Sequence, residues 1–384
     1  MNSINKKIKI RTAILTNFIP HYRSDFYERL FGNENIGLSL YLESNVKMTG
    51  YTLDKLENRN IKYFYTLNLF SERLKFHFYP FWKILRENDI IIFDGNPRNV
   101  LIAICMTFAA LGRKKIGIWS TAHSFRNAGL AKKIRLTWWN IFFKNFIMYV
   151  DCDILELGKL GFKSKIIESL SNGLDYSKIK TAKENCTDSF LKQFTIDNNF
   201  TNKKIMLSIG RLEMYRHDLI FRAFAELSKI KPDLHWVIIG DGNGKADLEK
   251  KLSNAKLENR VLFTGSITDE NQLAPFMMVA DFMVYSAPIG LSLIHSFSYG
   301  LPVITHNDRR RHGPEFCAFE LDKTGLTFEK DDEKSLVNCI IQFFDKGGKQ
   351  YFDCNKITEL ASEKHNTERM SISMENFLFK VNKN

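Results

Sequence analysis

The chain has little that would build a metal site or a disulfide framework. Its 384 residues include six Cys, at 105, 152, 186, 317, 339 and 354. No two of them form a C-x-x-C pair, and none joins a His in zinc spacing. That predicts no metal and no resident cofactor, with reduced, mostly structural thiols of a cytosolic protein. Long apolar runs are missing too. The longest, Val100–Leu111, is about a dozen residues, against the ~20 that a membrane span needs, and is expected as a buried helix. Met1–Lys7 lacks the apolar core of a secretory signal, so a cytoplasmic location is expected. No repeat of 20–50 residues and no low-complexity tract is visible. Acidic residues are outnumbered: 43 Asp and Glu against 55 Lys and Arg, a net charge of +12. Such an excess favours anionic partners, whether nucleic acid, phospholipid headgroups or a diphosphate. No nucleic-acid recognition motif accompanies it, so no nucleic-acid partner is expected.

What is present is an alternation of strands and helices. The length suits two α/β domains better than one core. Apolar strands are expected over Lys9–Thr16, Leu38–Leu42, Ile61–Tyr65, Asp89–Phe93, Ile116–Trp119 and Lys165–Ser169. Helices are expected over Ser24–Phe31, with Ser24 as N-cap, and over the long stretch Leu130–Val150. This order predicts a parallel sheet with helices on both faces. Residues 1–183 form the expected first domain. Residues 184–202, polar and without periodicity, read as a linker with one short helix. Residues 203–365 form the second domain, and 366–384 an amphipathic terminal helix with Met370, Ile372, Phe377, Leu378 and Val381 on one stripe.

The most informative stretch is Ser208–Thr305. It contains Ser208-Ile209-Gly210-Arg211-Leu212, Val237-Ile238-Ile239-Gly240-Asp241-Gly242, Val261–Gly265, Ala280–Ser286 and Tyr299–Thr305. Order and spacing resemble the nucleotide-sugar-binding half of retaining glycosyltransferases of family 4, which have the two-domain GT-B fold. The resemblance implies two Rossmann-like domains facing a central cleft, with the terminal helix returning to the first. It implies a catalytic role for Arg211 and for Arg216, which stands where the family usually has Lys. Both would neutralise the donor diphosphate, and a guanidinium can bridge two phosphate oxygens. The loop with Gly240 and Asp241 would lie near base and ribose, its glycines serving chiefly the tight turn.

The family's pair of Glu residues is absent. Ala287 and His295 stand at those two places, eight apart. The backbone frame persists in Gly290 and Leu291 at a helix start, where unpaired N–H groups suit a phosphate. A bacterial polysaccharide-type branch is similar in having Gly-Leu-Ser-x-x-His-Ser and a later Pro-Glu-Phe, here Pro314-Glu315-Phe316. In that light His295 and Glu315 become donor-binding candidates. The first-domain His123, at a strand end, is placed by the resemblance close to the donor sugar. His21, Tyr22 and Arg23 in the first-strand loop, and Asn96 in Asp94-Gly95-Asn96-Pro97, are acceptor-side candidates, because ligands bind at strand carboxyl ends.

Together these imply a glycosyl transfer from a nucleoside diphosphate sugar to a hydroxyl of a glycan, lipid-linked, in cell-surface polysaccharide synthesis. Two other readings stay open. The missing Glu pair suits a non-catalytic nucleotide- or glycan-binding relative, which would show no donor turnover. The glycine loop suits a nicotinamide-dependent oxidoreductase, although no fingerprint follows the first strand. Lys132–Lys144, with Trp138, Trp139, Phe142 and Phe143 among Lys and Arg, has the composition of a helix lying on an anionic membrane surface. It reads equally as a helix with a large buried face.

Overall fold

The computed structural model describes residues 9–44, 56, 59–69, 74–122, 129–162 and 165–384, and of residues 21, 69 and 214–216 the backbone alone. The chain divides into two compact units, one of residues 1–175 and 366–384, the other of 176–365. The boundary therefore falls at 175/176, ahead of the expected 183. The segment expected as a linker with one short helix does hold one, and it lies within the second unit. Helices Tyr176–Asn185 (α6) and Asp188–Asp197 (α7) open the second unit. The second buries no residue, and Thr187 caps it by accepting from the Phe190 N–H. An exposed polar helix has no apolar period to announce it.

In the first unit, eight described strands run Ile10–Leu15 (β1), Ile36–Glu43 (β2), Ile61–Leu69 (β3), Leu74–Phe78 (β4), Ile90–Phe93 (β5), Lys115–Ser120 (β6), Asn145–Met148 (β7) and Ile166–Ser169 (β8). They form one sheet in the order β4-β3-β2-β1-β5-β6-β7-β8. All neighbours are parallel except β3 and β4, which form an antiparallel edge hairpin. Ile14 of β1 pairs with Leu40 of β2 and Ile92 of β5, so β1 is the strand from which the order departs in both directions.

Helical crossovers join parallel strands, and helices cover both faces. Helix Ser24–Gly32 (α1) and the late helix Thr367–Lys383 (α14) cover one face, with Phe26, Leu30, Met370, Met374, Phe377 and Val381 against Ile14, Leu40 and Ile92. Phe81–Glu87 (α2), Val100–Leu111 (α3), Gly129–Phe142 (α4) and Asp151–Lys159 (α5) cover the other. Ser24 does not cap α1; Arg23 precedes it without a side-chain cap. The expected helix over Leu130–Val150 ends at Phe142, and β7 follows. A four-residue apolar strand abutting a helix cannot be separated from it by periodicity. Trp139 and Phe143 are buried in this core and Trp138 and Phe142 pack against it, which corrects the reading of them as membrane-facing. Helix α3 differs in the opposite sense. It is apolar all round, yet only Ile102, Ala103, Met106 and Ala109 are buried.

The second unit holds a fully parallel sheet of Lys204–Ile209 (β9), Leu234–Ile239 (β10), Val261–Gly265 (β11), Phe282–Tyr285 (β12), Val303–His306 (β13) and Gly325–Phe328 (β14). Its order is β11-β10-β9-β12-β13-β14. The flanking helices are Met214–Ile230 (α8), Lys245–Asn254 (α9), Glu270–Val279 (α10), Leu291–Ser298 (α11), Glu333–Asp345 (α12) and Cys354–Glu359 (α13).

Candidate functional site

Strand β9 is the switch point of the second sheet: β10 and β11 lie to one side, β12 to β14 to the other. In open α/β sheets ligands bind outside the carboxyl ends at such a point. There the chain sets Gly210 and Arg211 after β9 beside Ser286 and Ala287 after β12. With Ser208, Tyr285 and, from α8, His217 and Ile220, they line a cavity of about 10 Å³. That is about the room one water needs. Ala287, at the place of the first missing Glu, is buried in that wall.

Two loops are laced together beside it. The Gly210 N–H donates to Ile239 O, the Leu212 N–H to Asp241 O and the Gly244 N–H to Leu212 O, at 2.9–3.0 Å. Gly240 has φ of +146°, and a Cβ there would collide with the Gly210 carbonyl oxygen. The close approach of two backbones explains this glycine, so the loop is architectural while Asp241 stands exposed beside it. Arg211 is exposed as well. It has no carboxylate partner among the described residues. The side chains of Arg216 and His21, and His123 entirely, lie outside the described residues.

Leu291 is the first residue of α11 and Gly290 its N-cap, with no side-chain cap. Its leading N–H groups point out of the helix end, a setting for an anion. The corner is held from beneath. Ile289 donates its N–H to His312 Nδ1 (3.2 Å), and His312 Nε2 meets His306 O (2.7 Å). Those two bonds assign the neutral tautomer with the proton on Nε2. The Gly313 N–H returns to Ile289 O. Glu315 is 5% exposed, with a carboxylate oxygen 3.3 Å from where a Cβ on Gly290 would stand. It sits against the helix start and fixes the corner. His306 is fully buried and stacks on His312 at 3.9 Å, and burial pushes its imidazole down to about 4.

His295 is tied up. Its Nε2 lies 2.9 Å from Glu270 Oε1, which also accepts from the Tyr299 hydroxyl at 2.6 Å. Burial works against the Glu270 charge, but the bonds from His295 and Tyr299 overcome it and hold the carboxyl below its ordinary range. Only Nδ1 of His295 is left for a donor. Glu270 and His217 were not singled out from the sequence, since neither stands in a motif.

In the first unit β1 and β5 form the switch point, and the loops after them carry the acceptor-side candidates. Arg23 is buried. Its Nη2 donates to Asn172 Oδ1 (2.8 Å), and its guanidinium lies over Trp119 and Tyr149. It ties the first-strand loop to the sheet. Tyr22 is half-buried in the same turn. Asn96 accepts from the Arg98 N–H and donates its own N–H to Asp94 Oδ1. Asp94 also accepts from Asn99 Nδ2 (2.9 Å), and burial pushes its carboxyl up to about 6.

Fold and site together define a GT-B glycosyltransferase architecture. Residues 190–360 match the family model "Glycosyl transferases group 1". The chain is 29% identical over 110 residues to the alpha-monoglucosyldiacylglycerol synthase of Streptococcus pneumoniae, covering 28% of this chain and 25% of that protein. It is 33% identical over 137 residues to the N-acetylgalactosamine-N,N'-diacetylbacillosaminyl-diphospho-undecaprenol 4-alpha-N-acetylgalactosaminyltransferase of Campylobacter jejuni, covering 35% of each. The matches thus span a quarter to about a third of these relatives' lengths. The crystal structure of Anabaena HepE in complex with UDP and glucose superposes with a TM-score of 0.65 at 14% identity, covering 96% of this chain and 99% of that one.

Proposed function

We propose that the protein moves a sugar, with retention, from a nucleoside diphosphate sugar to a hydroxyl of a glycan, lipid-linked, in cell-surface polysaccharide synthesis. The observation that carries this is the β9/β12 switch point, where exposed Arg211 and the uncapped start of α11 stand in the part of the chain that matches the group 1 model. The lipid-linked acceptor rests on the names of the two relatives. As the bond from the anomeric carbon to the diphosphate oxygen breaks, charge grows on the diphosphate. Arg211, Arg216 and the α11 N–H groups stabilise that charge. The acceptor oxygen bonds to the anomeric carbon on the same face, and its proton passes to the departing phosphate oxygen. No protein base is needed. A general fixed positive field also makes a divalent ion unnecessary, so activity in excess EDTA stays within about twofold. The enzyme works at the cytoplasmic face of the membrane as a peripheral protein.

Arg211→Ala tests this. Turnover at saturating donor falls more than tenfold while the thermal melt is unchanged. Wild-type turnover in that variant would remove Arg211 from the site. The engagement of His295 by Glu270 favours one second reading, a non-catalytic nucleotide-binding relative. Nucleotide binding without hydrolysis or transfer across a donor panel would establish it.

A further inference from the structure

The helix layer over one face of the first sheet is not finished like an ordinary protein surface. Helix α3 carries no charged residue, and its outward stripe is Ile104, Phe108 and Leu111. A helix that is apolar on every side is normally buried. Phe108 is 69% exposed, and across an open groove from it stands Trp82 of α2, 81% exposed. The neighbouring α4 continues the surface with exposed Ile134 and Ile141, one stripe apart from its buried Leu136 and Trp139. Single exposed apolar residues are ordinary, but a contiguous apolar field across adjacent helices marks an interaction surface.

The charge on the same elements is mostly positive. Lys83 and Arg86 on α2, Arg113 after α3, Lys133 on α4 and Lys144 after it are exposed. Opposing carboxylates are few: Glu87 and Glu156 are paired with Lys83 and Lys132, and Asp151 is exposed. Aromatic and aliphatic side chains ringed by Lys and Arg suit the interface of an anionic bilayer, where rings and alkyl groups enter the headgroup region and cations meet phosphate. A protein partner would need matching carboxylates and would favour no particular headgroup.

We propose that the outer face of α2, α3 and α4 docks on an anionic lipid bilayer. This deepens the peripheral placement proposed above and replaces the aromatic residues of α4, which are core, with Trp82, Phe108 and the outward aliphatics. On the other face, where α14 covers the sheet, the edge hairpin exposes Tyr63, Tyr65, Leu67 and Phe78, which serve as the internal control.

The test is co-sedimentation of the full chain with vesicles of phosphatidylcholine alone and of phosphatidylcholine with 30% phosphatidylglycerol, at low and high salt. The wild type binds the anionic vesicles at least tenfold better than the neutral ones. High salt weakens this binding and leaves an apolar remainder. Phe108→Glu combined with Ile134→Glu lowers it at least tenfold. Phe78→Glu, exposed on the opposite face of the edge hairpin, leaves it unchanged. Both variants keep turnover on a short water-soluble acceptor within about twofold. Wild-type vesicle binding by the double variant would overturn the proposal, as would no binding by the wild type. So would a wild-type dimer that the double variant abolishes without any vesicle binding, because the face would then belong to a second copy. Loss of vesicle binding with turnover intact concerns the surface alone, whereas vesicle binding without turnover counts against glycosyl transfer alone.

Discussion

His306 is neutral in the folded protein because its ring is buried, stacked on His312 and without a hydrogen-bond partner on either nitrogen among the described residues. Its imidazole titrates at about 4 folded, against roughly 6.5 in an unfolded chain. Between these values the unfolded state holds the extra proton. The stability that neutral His306 contributes is therefore complete above pH ~6.5 and is lost as pH falls towards 4. His306→Phe keeps the stack and removes that loss, which is on the order of 1–3 kcal/mol. Urea melts at pH 7.5 and pH 5 check this: an unchanged pH dependence in the variant would mean that other groups set it. Glu270 is a second case. Glu270→Ala strands the Tyr299 hydroxyl and a His295 nitrogen, at a cost of about 1–3 kcal/mol. Paired with His295→Ala in a double-mutant cycle, the effects are non-additive; simple additivity would separate the two residues. At this scale Arg211, Gly290 and Ala287 were legible because each stands in a local motif at a strand or helix end. The tie from Glu270 to His295 was not, because it joins residues 25 apart through tertiary packing. The bond from Arg23 to Asn172 was hidden for the same reason, since the two are 149 residues apart.

Elements were legible where their apolar period matched their burial. Strands β1, β5, β9, β10 and β12 are largely apolar because both sheet faces are covered. The edge strand β4 and the four-residue β7 were missed, and each lacks that period for a different reason: one solvated face, and shortness. The βα loops show how backbone sets an element's end. Gly240 lets β10 turn into α9 while its Cα faces the Gly210 carbonyl. Gly240→Ala must push the two loops apart and strain a positive φ, so it lowers stability by more than about 2 kcal/mol. It also weakens nucleotide binding, because Arg211 rides on the displaced loop. Chemical denaturation and a nucleotide titration read both effects, and an unchanged midpoint would show that the loops have slack.

The first unit is assembled from the two ends of the described chain. Met370, Met374, Phe377, Leu378 and Val381 of α14 belong to its core, the first four almost wholly enclosed. Truncation after His365 uncovers that sheet face, which costs several kcal/mol at about 1.5–3 per buried apolar side chain. The first unit then loses its cooperative melt, while the second, complete between 176 and 365, keeps its own transition and its nucleotide binding. Calorimetry of the truncated chain separates these outcomes; two intact transitions would show α14 to be dispensable. The same arrangement orders events during synthesis. The first unit emerges from the ribosome first but is without its closing helix until residues 366–384 follow. At 5–20 residues per second that wait is roughly 10–40 s, the time in which the second unit is itself being made. Until then the early sheet is exposed on one side, so of the two units the one made earlier is finished later, and chaperones have that interval in which to bind it.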